Sequence, residues 1–182
     1  MRIIGGKYGG RVLHSPKGLP VRPTTDRTKE ALFNRLDARW EWEGMEVLDL
    51  FAGTGSLTLE FWSRGAARVV SVDRDLRCTA AIRAGLMQLG IAEGEVVMEE
   101  VWTYLQRAAA QGRKFHVVFM DPPYEMPGQE AYIELIMNEL LYPGGELILE
   151  HSSRYSFAAQ PGFSDVRKYG SSSLSFFERP EA

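Results

Sequence analysis

From residue 44 onward the chain alternates short apolar runs with longer stretches of helical spacing, and this rhythm constrains its fold more than any other feature. The runs Met45–Leu50, Arg68–Val72, Val96–Met98, His116–Met120 and Glu146–Leu149 predict strands buried on both faces. Between them Ser56–Arg64, Leu76–Leu89, Trp102–Ala110 and Glu130–Leu141 predict helices. Pro143-Gly144-Gly145 is expected to break the last helix and turn the chain into the next strand. Strands alternating with helices require right-handed crossovers, hence an α/β fold with a doubly wound, mostly parallel sheet. Phe163–Tyr169 and Ser173–Glu178, separated by Gly170-Ser171-Ser172, predict a closing antiparallel hairpin.

Upstream, Gly5-Gly6 and Gly9-Gly10 lie between Ile3-Ile4 and Val12-Leu13, which predicts a small β-hairpin outside the sheet. Thr24-Thr25-Asp26 offers N-caps for a helix through Ala31, Leu32, Phe33 and Leu36. The 182 residues therefore read as one domain, with a hairpin arm (1–23), a linking helix (24–40) and an α/β body (44–178). The net charge of −3 conceals an asymmetry. Arg2, Lys7, Arg11, Lys17, Arg22, Arg27 and Lys29 face only Asp26 and Glu30 in the first 30 residues, as in a polyanion-binding appendage on an acidic body. Cys78 is the only cysteine, which excludes an internal disulfide and a thiolate zinc site and fits a reducing cytoplasm. With no apolar stretch of about 20 residues and no signal-peptide layout at the N-terminus, the expectation is a soluble protein that is not exported.

Three strand ends carry the chemistry. Val47–Leu57 reads as a strand, a glycine turn at Gly53 and Gly55, and a helix start, so backbone can approach a ligand beside free N–H groups. Asp73 ends the next strand twenty residues after Gly53, where a carboxylate can accept from both hydroxyls of an adenosine ribose. Glu99-Glu100 ends the third strand, where an acid can receive an adenine amino group. At the end of the fourth strand stands Asp121-Pro122-Pro123-Tyr124, a carboxylate, two prolines that freeze the loop, and an aromatic ring. A doubly wound sheet sets strand four beside strand one, so Asp121 is expected to face the glycine turn across the switch-point crevice. There Asp121 and the Pro122 carbonyl can accept the two N–H bonds of a planar amine while Tyr124 stacks on its ring.

The Asp49–Gly55 turn with Asp121–Tyr124 resembles the signature of class I S-adenosylmethionine-dependent amino-methyltransferases. Met1-Arg2-Ile3-Ile4-Gly5-Gly6-Lys7-Tyr8-Gly9-Gly10-Arg11, followed by Arg22–Arg27 and Glu30–Asn34, narrows the resemblance to the RsmD family, bacterial guanine-N2 methyltransferases of small-subunit ribosomal RNA. It extends from Met1 to about Phe177. The resemblance implies a Rossmann-like methyltransferase sheet with S-adenosylmethionine as cofactor and 16S rRNA, or a subunit assembly intermediate, as partner. It implies Asp49, Phe51, Ala52, Gly53, Gly55, Asp73, Arg74, Glu100, Val101 and Thr25 around the cofactor, and Asp121, Pro122 and Tyr124 around the base. Arg2, Lys7, Arg11, Lys17 and Arg22 would contact RNA phosphates. Two positions depart from the family pattern: Glu100 stands where Asp or Asn is usual, and Gly85 where an asparagine is expected.

Adenine-N6 and protein-glutamine methylation remain open, because both substrates present an NH2 on a planar conjugated group. The basic segment favours nucleic acid. An NAD-dependent oxidoreductase would leave Asp121–Tyr124 unexplained and lacks a third glycine, since Thr58 occupies that place. A non-catalytic RNA-binding module would not need the Asp121 loop. His14, His116 and His151 lack metal spacing, so no metal is expected, and a monomer is expected. Cys78, Phe61, Trp62, Phe176 and Phe177 read as core, and Trp40 and Trp42 as packing between the linking helix and the body.

Overall fold

The computed structural model describes residues 1–22 and 24–182; Pro23, the last residue of the expected arm, lies outside the described residues. Its centre is a seven-stranded sheet in the order β3-β2-β1-β4-β5-β7-β6. The strands are β1 (Glu46–Leu50), β2 (Arg68–Asp73), β3 (Glu95–Met98), β4 (Phe115–Met120), β5 (Leu141–Ser152), β6 (Phe163–Tyr169) and β7 (Ser172–Glu178). The first five pair in parallel, and β7 is antiparallel to both β5 and β6. The expected α/β sheet with its closing hairpin is therefore present.

The helices are α1 (Asp26–Arg39), α2 (Ser56–Arg64), α3 (Leu76–Gln88), α4 (Val101–Ala110) and α5 (Gln129–Leu135). The largely apolar strands need covers on both faces, and alternate side chains separate accordingly. Leu48, Leu50, Val70, Val72, Val118 and Met120 join one core with Tyr104, Leu105, Ile133 and Ile136. Val47, Val69, Val117 and Phe119 join a second core with Leu32, Phe33 and Leu36 of α1, Trp42, and Leu57 and Phe61 of α2. Trp42 packs edge-on to Phe61 at 5.5 Å, and the Trp40 indole donates to Glu146, so both tryptophans bind the linking helix to the body as expected.

The last helix does not run to a proline break: α5 passes into a π-helical turn, Ile136–Leu140, and the chain is already extended at Leu141, which pairs with Phe115. Pro143-Gly144-Gly145 lies inside β5 as an irregularity, where Gly144 N–H donates to the carbonyl of Arg179. Gly85 is a packing position: a Cβ there would lie 2.7 Å from Leu59 Cδ1, so the glycine lets α3 sit against α2.

The small N-terminal hairpin expected outside the sheet is present as an antiparallel bridge from Arg2 to Val12, and it is docked against the body. Ile3 is fully buried with Leu13 against Leu59, Ile82 and Leu86. Lys7 N–H donates to the Ser63 carbonyl at 2.7 Å, and a Cβ on Gly6 would fall 2.0 Å from that oxygen, so only glycine passes there. Lys29, counted above among the basic residues, is 1% exposed and ion-paired to the buried Glu60 at 3.2 Å, so it is withdrawn from any partner.

Candidate active site

The carboxyl ends of β1, β2 and β4 open into a cleft of about 1090 Å³ at the point where strand order reverses. At the end of β1 the chain turns sharply, with Phe51 at φ 56° and Gly53 at φ 57°. A non-glycine residue in that region is strained, and such strain is held where surrounding structure over-determines it. Gly53 N–H donates to Asp73 Oδ2 at 2.9 Å, and Asp75 N–H donates to Asp73 Oδ1 at 2.9 Å. Each of those oxygens keeps a second lone pair for a ligand hydroxyl. Asp49 lies behind the turn, where Thr58 donates to it at 2.6 Å, and burial pushes its carboxyl up to about 7.

Register sets Asp49 opposite Phe119 and Leu50 opposite Met120, so the Asp121 loop leaves β4 directly beside the glycine turn. Asp121 N–H donates to the Leu50 carbonyl at 3.3 Å. Burial, and then the nearby carboxylates of Glu150 and Asp49, hold the Asp121 carboxyl well above the usual range, with Arg22 opposing them. The Arg22 guanidinium stands 5.9 Å from the Tyr124 ring centroid.

Of the residues the resemblance assigned to a cofactor, Asp49, Phe51, Ala52, Gly53, Asp73 and Thr25 line this cleft, together with Arg74, Glu100 and Val101. Gly55 does not; it caps α2 with φ 81° and its open side faces Ile82. Arg74 and Glu100 are exposed and pair with one another at 3.2 Å on the rim. Asp121, Pro122 and Tyr124 line the same cleft. The basic set divides: Arg22 lines the cleft, whereas Arg2, Lys7, Arg11 and Lys17 lie outside it. Arg2 faces Asp26 at 3.5 Å, and Lys7 and Arg11 both approach the Tyr8 ring at 5.3 Å.

Glu150 of β5 and the β6–β7 turn, with Lys168, Tyr169 and Ser172, also form the wall, and sequence reasoning missed them. They belong to the closing hairpin and its neighbouring strand, and no motif marks them. Cys78 forms part of the wall with a thiol that burial pushes up to about 11, so it is inert packing. Among the described residues no group of three His, Cys, Asp or Glu side chains could hold a metal ion, and no helix is long and apolar enough to cross a membrane.

A family model described as conserved hypothetical protein 95 matches residues 1–178. The chain belongs to this family, the RsmD methyltransferases. A relative in Haemophilus influenzae named ribosomal RNA small subunit methyltransferase D is 35% identical over 153 residues, covering 82% of this chain and 78% of that one. The solved structure of a hypothetical protein from Thermus thermophilus is 32% identical with a TM-score of 0.85, covering 100% of this chain and 99% of the other. The 16S rRNA N2 G1207 methyltransferase of Thermus thermophilus, solved with AdoMet and guanosine, is 23% identical with a TM-score of 0.72, over 91% of this chain and 46% of that one. At that identity the likeness is one of fold. The RsmD-family chain thus has a Rossmann-like methyltransferase sheet, as expected from its sequence.

Proposed function

We propose that this RsmD-family methyltransferase uses S-adenosylmethionine to methylate the exocyclic N2 amine of a guanine in small-subunit ribosomal RNA. The observation that carries the reading is the adjacency of two strand ends: the Phe51–Gly53 turn with Asp73 on one side of the cleft, and Asp121–Tyr124 on the other. The cleft has room for a cofactor and a base together, and the residues fit: a carboxylate with free lone pairs for a ribose, and an opened backbone turn beside it. S-adenosylmethionine supplies an electrophilic methyl group on a sulfonium sulfur.

The chain's part is to aim the nucleophile. A guanine amine is a weak nucleophile because its lone pair is delocalised into the ring. Asp121 and the Pro122 carbonyl accept its two N–H bonds, favour a pyramidal nitrogen and direct the lone pair. Tyr124 stacks on the base, a contact worth about 1–3 kcal/mol. Positioning supplies most of the acceleration, and Asp121 stabilises positive charge developing on the nitrogen and receives the proton that the amine gives up as its bond to the methyl group forms. The chain works as a single unit, monomeric and in the cytoplasm, on ribosomal RNA or a subunit assembly intermediate. Comparing modified guanines in ribosomal RNA from cells with and without the gene tests the assignment; the same N2-methylguanosine positions in both would sink it.

Asp73→Ala should weaken S-adenosylmethionine binding at least tenfold, about 1.4 kcal/mol, by calorimetry. Unchanged affinity in a folded variant would remove Asp73 from the cofactor's surroundings. Of the expected phosphate contacts Arg2, Lys7, Arg11, Lys17 and Arg22, Lys7 and Arg11 are exposed and lie outside the cleft. Replacing both with Ala should reduce the slope of log K against log salt for RNA by about 1.5, without touching cofactor affinity. A slope that stays the same would make the segment purely structural.

A further inference from the structure

Glu150 stands near the end of β5, and the pairings Phe119 with Ile148 and Met120 with Leu149 set it beside Asp121 on the neighbouring strand and on the same face of the sheet. It lines the cleft and is only 9% exposed. Ser172 donates to its Oε1 at 3.0 Å, whereas Oε2 is buried with no hydrogen-bond partner among the described residues. Leaving a carboxylate oxygen unsatisfied opposes folding, and nothing in the packing of β5 against β7 calls for it. Arg22 is the cation acting on both Asp121 and Glu150, and it opposes the effect of burial on each. Two carboxylate acceptors therefore lie on adjacent strands, about 4.8 Å apart in backbone spacing, and the reading above assigns the amine to only one of them.

Guanine presents two donors side by side, the N2 amine and N1–H. Adenine presents an amine beside an unprotonated N1, whose lone pair would face a carboxylate. We propose that Glu150 accepts the N1–H of the target guanine through Oε2 and so sets the choice of guanine; this rests on the guanine-N2 reading above. Ser172 holds the other oxygen and fixes the carboxylate plane. Glu150 is a specificity-determining residue, whereas Asp121 orients the reacting amine.

The test uses small-subunit RNA in which the mapped target guanine is replaced by 2-aminopurine through splinted ligation. That base keeps the 2-amine but carries a lone pair at N1. Wild-type enzyme should prefer guanine at least tenfold in kcat/KM, because a site built to bond an N–H rejects an analogue that lacks it. Glu150→Gln should bring the preference within about threefold, because its amide can donate to the unprotonated N1 as readily as it accepts from N1–H. Glu150→Asp, which keeps the charge, should retain the guanine preference at a lower rate, and it provides a second reading should the amide variant fold poorly. A guanine preference unchanged by Glu150→Gln, or both substrates falling equally, overturns the proposal. Wild-type methyl product at a position other than guanine N2 overturns the underlying reading, and that outcome is visible before any variant is made.

Discussion

Replacing Asp121 by Asn should lower kcat for methyl transfer by a hundredfold or so, while the fold and S-adenosylmethionine affinity stay as they are. The amide is nearly isosteric but uncharged, so it stabilises a nitrogen gaining positive charge far less. The effect should be large because the carboxylate is preorganised: its backbone N–H is tied to the Leu50 carbonyl and Pro122 and Pro123 stiffen the loop. Burial and the neighbouring acids raise its pKa, so the proton-free form is lost as pH falls through a value above the ordinary carboxylate range. The acid limb of the kcat/KM profile should therefore lie higher than for an exposed aspartate. Arg22→Ala, which removes the opposing cation, should move it higher still. Tyr124→Ala should raise KM as well as lower kcat, whereas Tyr124→Phe should keep most activity because the ring face does the stacking. Single-turnover transfer to subunits from cells lacking the modification is the assay, and near-wild-type transfer by Asp121→Asn would refute the mechanism.

Replacing Glu60 by Ala should cost about 3–5 kcal/mol of stability, since it leaves the Lys29 ammonium buried without a counter-charge. The Glu60 carboxylate is fully buried, pairs with Lys29 at 3.2 Å and accepts from Ile4 N–H and Gly5 N–H at 3.0–3.1 Å. Lys29 donates in turn to the Arg2 carbonyl at 2.7 Å. This pair is thus the anchor of the whole N-terminal segment. Thermal unfolding should shift down by about 10 °C or more for a chain of this size. Amides such as Ile3 and Gly10, which close the N-terminal loop, should lose hydrogen-exchange protection before the sheet does. Lys29→Met combined with Glu60→Met should recover part of the loss, because an apolar pair leaves no stranded charge. A drop below about 1 kcal/mol for Glu60→Ala would mean that water reaches Lys29 and the anchor is weak.

The sheet was legible because strands covered on both faces are largely apolar, and Val47–Leu50, Val69–Val72 and Val117–Met120 are apolar but for Asp49 and Ser71. Asp121–Tyr124 and the Gly53 turn with Asp73 were legible because their chemistry is local: a few adjacent residues carry both the constraint on the backbone and the reactive groups. Arg22 was seen as a basic residue, but its place in the cleft wall, 5.9 Å from the Tyr124 ring centroid, is set by the tertiary structure. Lys29 shows the reverse, a charge that sequence reads as exposed and the fold buries, because only tertiary packing supplies Glu60 31 residues later. Glu150 reaches the cleft through the parallel pairing of β5 with β4, and Lys168, Tyr169 and Ser172 through the antiparallel return of β7 beside β5, pairings between distant segments that no local pattern encodes. Local sequence therefore determined which elements form and which strand ends carry chemistry, through periodicity and backbone stereochemistry. Only the tertiary structure decided which charges are free and which carboxylates share the cleft, because both depend on desolvation by residues far away in the chain.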